Sequence, residues 1–282
     1  MSASFEDRLA KAYHRGLDAE RAGQLDTAAE AYREVLALDP DDHGGASVRL
    51  AAIERGETPE KAPDAYVATL FDQNAEAFDA MLVDDLGYSV PLQLREVLLA
   101  QAPGPYARLL DLGCGTGLTG EALADQTEYR IGVDLSEGML DVAEEKDVYD
   151  GLYVAEAIDF LTDTDEDPFD LIAATDVLPY MGQLEGFFAG LKRCLTPHGL
   201  AAFSCETMAE TALGEADFKV GRYHRFAHAH NYLSRLMADV DLQVIAFDPI
   251  IVRYEQGTPV PGYLVFARNG SSVTESGDNN QI

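Results

Sequence analysis

The chain has 282 residues, 47% of them hydrophobic, enough for one substantial core with a small accessory unit beside it. Lysine and arginine total 20 against 50 aspartate and glutamate residues, a formal net charge of -30, so phosphate backbones and anionic membranes are repelled over most of the surface. Nucleic acid and membrane are therefore not expected as partners, and the three cysteines, Cys114, Cys194 and Cys205, without metal-ligand spacing, read as reduced thiols of a cytoplasmic protein that holds no metal.

The opening residues lack a basic segment followed by an apolar one, and no run approaches membrane-spanning length, so neither export nor insertion is expected. Between residues 9 and 42 small and aromatic residues recur at helical spacing. Gly16 and Ala28 allow two antiparallel helices to approach, Tyr32 fills the gap between them and Pro40 stops the second. The spacing is similar to a tetratricopeptide repeat, and a further helix at 46–57 resembles the first half of a second copy. One and a half copies cannot bury their own face, so this unit, 1–57, should lean on the next domain. An ordinary helical hairpin and a protein-docking module are both compatible with the pattern.

Residues 58–104 form a linker rich in charge and proline, then two covering helices at 66–88 and 91–102, the second opening on Pro91. From residue 105 to 269 apolar runs alternate with helical ones. Strands are expected at 107–112, 129–135, 152–157, 169–175, 199–206, 243–252 and 262–268, with helices at 118–126, 138–146, 184–195 and 230–240. Only a turn-rich segment separates the last two strands, so the seventh should be antiparallel. The polar tail, 270–282, is expected to be disordered.

The first of these strands leads into LDLGCGTG at 110–117. Gly115, Gly117 and Gly120 have the spacing of a dinucleotide fingerprint, with Asp134 about 20 residues on. Asp111 argues against that ligand: a carboxylate at the strand end repels a pyrophosphate and attracts an ammonium or a sulfonium. S-adenosylmethionine carries both cations, a ribose diol and no phosphate.

On these residues the stretch 107–268 resembles a class I S-adenosylmethionine-dependent methyltransferase. The resemblance implies an α/β fold with a seven-stranded Rossmann-like sheet, here behind a small α-helical unit. It assigns Asp111 and the backbone of Gly113, Cys114, Gly115 and Gly117 to the methionine end of the cofactor, and Asp134 with Leu135 to the ribose. Glu156, Ala157 and Ile158 fall at the adenine, with glutamate where aspartate is commoner, and Met139 packs on the ring or belongs to a helix core. Asp176, Leu178 and Tyr180, after the fourth strand, fall beside the transferable methyl, although a structural aspartate would also suit position 176.

The whole chain is also similar to a group of bacterial methyltransferases with N-terminal tetratricopeptide repeats, through 66–79, 221–233 and 258–268. In such enzymes the segment before the glycine loop lids the cofactor, which makes Phe71, Asn74 and Phe78 candidates, or residues of an ordinary covering helix.

Methyl transfer is an in-line displacement, so a base is required only for a protonated acceptor. The stretch 222–230 holds His224, His228 and His230 together with Arg222 and Arg225. Of these, His228 and Arg225 are the expected catalytic pair with Asp176; a solvated loop would look the same. The expected activity is transfer to an oxygen or nitrogen of a small molecule, leaving S-adenosylhomocysteine. A protein methyltransferase recruiting its target through the repeat, and a cofactor-binding scaffold without activity, remain open.

Overall fold

The structure, a computed structural model, describes residues 4–270, without the side chains of Asp84 and Asp85. The expected disordered tail lies outside the described residues except for Gly270.

The chain starts with α1 (Phe5–Arg21), capped by Ser4 and Asp7, which exchange side-chain-to-backbone bonds at 3.1 Å each. It packs against α2 (Leu25–Leu38). A Cβ at Gly16 would lie 2.5 Å from the Tyr32 ring, so the close approach expected of Gly16 and Tyr32 is real. Next comes α3 (Ala46–Ala52), capped by the Asp42 carboxylate, which accepts from the Ala46 and Ser47 amides at 2.6 and 2.9 Å. Leu50 faces the hairpin, while Val48 and Ala51 join Ala62, Tyr180 and Phe226 in a separate apolar cluster. The helical unit thus leans on its neighbour.

The expected helix 66–88 is broken into α4 (Asp64–Asp72), a 3₁₀ turn (Ala75–Ala77) and a π-helical turn (Ala80–Asp85). The Asn74 amide explains the first break: it donates to the Leu70 carbonyl at 2.6 Å and so takes over a bond of the helix end. Then α5 (Val90–Gln101) begins with Pro91 in its first turn.

All seven expected strands are present: β1 (Tyr106–Leu112), β2 (Thr127–Asp134), β3 (Gly151–Val154), β4 (Phe169–Ala174), β5 (Leu195–Glu206), β8 (Leu242–Glu255) and β9 (Thr258–Asn269). The described residues add two three-residue strands, β6 (Phe218–Val220) and β7 (Phe226–His228), so the sheet has nine and not seven. Strands this short carry no period for a sequence to reveal. β3, β2, β1, β4 and β5 run parallel; β9 lies antiparallel between β5 and β8. β6 and β7 form an antiparallel ribbon joined to the end of β5.

Of the helices between them, α6 (Leu118–Leu123), α7 (Glu137–Glu145), α9 (Glu185–Cys194) and α11 (His230–Asp239) fall where expected; α8 (Ala157–Asp163) and α10 (Glu210–Leu213) complete the set. One face of the sheet buries Phe187, Phe188 and Phe203, stacked edge to face, and the other buries Leu94, Leu98, Leu109 and Phe266. β1 has β2 on one side and β4 on the other. Successive connections diverge there, which leaves a crevice at the carboxyl ends of these strands.

Candidate active site

The crevice is built from loops that leave four parallel strands. After β1 the chain turns at Gly113, with φ +62, and a Cβ there would meet the Val177 side chain at 2.2 Å. Only glycine lets the loop lie this close to the segment after β4. At the end of β2, Asp134 accepts from the Gly115 amide at 2.8 Å and the Ser136 amide at 2.9 Å. Burial raises its pKa and these amides pull it down, for a net rise. At the end of β3, Glu156 caps α8, accepting from the Ile158 and Asp159 amides at 2.8 and 2.9 Å through one carboxylate oxygen. Beyond β4, Asp176 adopts φ +60 and its amide donates to the Ser204 hydroxyl at 2.9 Å.

A cover lies over these strand ends. The Phe71 ring makes edge contacts with Phe78 at 5.7 Å and Tyr180 at 5.3 Å between centroids. Asp72 accepts from the Ser136 hydroxyl and from the Gly138 amide at 3.1 Å, and Asp79 accepts from the Thr116 hydroxyl and pairs with Lys146 at 2.6 Å. Two aspartates therefore fasten the cover to the glycine loop and to α7. Asp79→Ala removes one fastening, and amide exchange over 75–85 should speed up by about tenfold while that of β1 and β4 stays unchanged. Hydrogen-exchange mass spectrometry reads this directly.

Gly113, Cys114, Gly115, Asp134, Leu135, Glu156, Ala157, Asp176, Arg225, Phe71 and Phe78 all line one cleft. Leu178, buried in the main core, and Asn74 do not, and neither do five others. His228, expected as a base, is fully buried, with Nε2 between the Met181 and Gly182 carbonyls at 2.9 and 3.3 Å and its ring stacked on Tyr232. Burial lowers its pKa to about 4, so it is a neutral core histidine and not a base at the cleft. Met139 is a buried residue of the α7 core, and Ile158 packs against the main core beside Gly186. Gly117, with φ +94, opens α6 and rests against Val148 and Tyr149. Asp111 lies fully buried beneath the loop, where Tyr149 donates to Oδ2 at 2.6 Å and Oδ1 has no partner among the described residues.

The neighbouring histidines serve elsewhere: His224 meets Glu20 of α1 at 3.0 Å and Arg49 of α3 at 3.2 Å, and His230 stacks on Phe247. Asn74, a lid candidate, spends its amide on Leu70.

Sequence reasoning missed Arg253 of β8. It is fully buried, with Nη1 3.2 Å from Asp176, Nε 2.9 Å from Glu255 and Nη2 on Glu206. Glu255 also holds Arg225 at 2.8 Å, and Arg225 donates to the Tyr180 hydroxyl at 3.2 Å. An arginine inside the apolar run 250–253 was the available signal. Tyr88, Thr119 and Thr175 also line the cleft, with the two threonine hydroxyls 2.8 Å apart. Among the described residues no three His, Cys, Asp or Glu side chains are grouped to hold a metal ion, and no helix is long and apolar enough to cross a membrane.

Among known proteins, the family description "Methyltransferase domain" matches residues 110–201. The chain is 31% identical over 127 residues to an 18S rRNA (guanine-N(7))-methyltransferase of Arabidopsis thaliana, covering 38% of this chain and 41% of that protein. It is 33% identical over 100 residues to the ubiquinone biosynthesis O-methyltransferase of Methylococcus capsulatus, covering 34% and 42%. The chain thus spans about four-tenths of the length of these curated relatives. In fold it is similar to N-methyltransferase NodS of Bradyrhizobium japonicum in complex with S-adenosyl-L-homocysteine, with a TM-score of 0.57 at 19% identity over 73% of this chain and 99% of that one.

Proposed function

We propose that the chain is a class I S-adenosylmethionine-dependent methyltransferase that moves a methyl group from S-adenosylmethionine to an oxygen or nitrogen of a small molecule, leaving S-adenosylhomocysteine, a reading supported by the match to a methyltransferase domain and by the fold. The observation that carries this reading is the set of carboxylates at the strand ends: Asp134, Glu156 and Asp176 border the glycine loop, an environment suited to a cationic ligand and hostile to a pyrophosphate.

The residues fit that cofactor. Each oxygen of Asp134 accepts one backbone bond and keeps a lone pair for a ribose hydroxyl. Glu156 caps α8 through one oxygen and has the other for an adenine amino group. The unpartnered Oδ1 of Asp111 suits a nearby donor. When bound, the cofactor supplies an activated methyl on a good leaving group.

The chain's own part is to hold, align and keep water out. Phe71 and Phe78 cover the cleft under the fastenings of Asp72 and Asp79. Arg253 fixes the Asp176 carboxylate, and Glu255 with Tyr180 orients Arg225. With His228 in the core, Asp176 is the carboxylate of this stretch able to take the proton of a hydroxyl or ammonium acceptor, and Arg225 is the donor for an acceptor that carries an anion. A small molecule is favoured over rRNA by the net charge of -30. The N-terminal unit is read as tetratricopeptide-like, and the buried free thiols suit a reducing cytoplasm.

Calorimetric titration with S-adenosylmethionine and S-adenosylhomocysteine, with NADH as control, tests the cofactor assignment, and labelled cofactor with small-molecule extracts tests the transfer. Asp176→Asn and Arg225→Ala should each lower turnover at least ~10-fold with cofactor affinity within about twofold of wild type. Equal losses in both quantities would remove these residues from the methyl end.

A further inference from the structure

Asp111 is half satisfied. Its carboxyl is fully buried, one oxygen takes the Tyr149 hydroxyl at 2.6 Å and the other takes nothing from the described residues. The titratable groups acting on it are Tyr149, Asp134, Tyr88 and Cys114, none of them a cation. A buried carboxyl in such surroundings needs a donor from outside the chain.

The loop glycines bear on the same pair. A Cβ at Gly120 would lie 2.6 Å from the Tyr149 hydroxyl oxygen, and one at Gly117 would lie 3.3 Å from the same ring. Two glycines of the fingerprint thus make room for Tyr149 beneath the loop, where a side chain would push its hydroxyl off Asp111. Tyr149 lies between α7 and β3, outside every motif that the cofactor assignment uses.

We propose that Tyr149 is a positioning residue for the cofactor: its hydroxyl holds Oδ2 of Asp111 beneath the glycine loop and so keeps there a carboxylate whose charge draws the amino group of the methionine part to the loop above it. This rests on the methyltransferase reading. Burial drives the Asp111 pKa up to about 7, against which the Tyr149 bond works, with Asp134 adding a smaller rise. Without the hydroxyl the carboxyl rises further and meets an ammonium uncharged at neutral pH.

The test is calorimetric titration of wild type, Tyr149→Phe and Asp111→Asn with S-adenosylhomocysteine, which has the ammonium and no sulfonium, from pH 6 to 9. Wild-type affinity should rise through pH 7. Tyr149→Phe should bind about fivefold more weakly at pH 7 and regain affinity with its midpoint displaced upward by about one unit. Asp111→Asn should lose that component of the profile. The ligand's own titration is common to all three proteins and cancels in the comparison. A Tyr149→Phe curve that superimposes on wild type, or is weaker by one factor at every pH as a loosened loop would be, overturns the proposal. If Tyr149→Phe does not fold, Asp111→Asn decides: retention of the wild-type profile overturns it. Absence of any wild-type binding removes the methyltransferase reading and the proposal with it.

Discussion

Arg253→Met should destabilise the fold by about 3–5 kcal/mol, the usual result of removing one partner from a buried ionic cluster. The arginine is fully buried and faces Asp176, Glu206 and Glu255, so its loss leaves three carboxylates around a methionine. The loss should depend on pH in a defined sense. Glu206 already has its pKa raised by burial, with Arg253 holding the rise in check, and without that cation it climbs further. A carboxyl whose folded pKa exceeds the unfolded one binds protons more readily in the folded state, so stability falls as pH rises between the two values. The deficit should therefore be largest at pH 8 and shrink as pH falls toward 5. Urea denaturation at both values measures it, and a deficit under about 1 kcal/mol with no pH dependence would mean that the cluster contributes little.

Asp134→Ala should weaken S-adenosylmethionine binding at least ~100-fold, from loss of a bidentate charged acceptor together with the bonds that shape the loop. The carboxylate ties the Gly115 amide at 2.8 Å to the start of α7 through Ser136 at 2.9 Å, so the substitution removes the acceptor proposed for the ribose and loosens the turn that presents it. Asp134→Asn separates the two effects, since it retains an acceptor but not the charge, and should fall between. The thermal shift that saturating cofactor gives the wild type should vanish in Asp134→Ala. An undiminished shift would relocate the cofactor.

The strands and the glycine loop could be read in the sequence because their signals are local. Apolar runs of strand length, Gly113 at the turn and Asp134 at the end of β2 each depend on neighbours within a few positions. The breaks within 66–88 are not legible because the apolar spacing is indifferent to a side-chain amide that caps one turn and to a π turn that adds a residue to another. His228 draws attention as one of three histidines among arginines, yet its burial depends on two carbonyls at 181 and 182 and on the ring of Tyr232. Met139 has the spacing of a ring-stacking residue and of a core residue alike, and burial chose the second. Arg253 meets Asp176 across 77 positions and Glu206 across 47, a conjunction that only the folded chain makes.

The place of β9 determines the order in which the molecule can be completed during synthesis. It fills the slot between β5 and β8, and among the described residues β9 is the strand that pairs with β8. A nascent chain can lay down the parallel strands as they emerge, but among the described residues β8 has no strand to pair with until Thr258–Asn269 has been translated. Arg253 rides on β8, so Asp176 and Glu206 wait for their counterion until the hairpin closes. Before that moment the edge of β5 stands open to other chains, which makes the interval between residues 206 and 269 the stretch of translation in which a chaperone matters most.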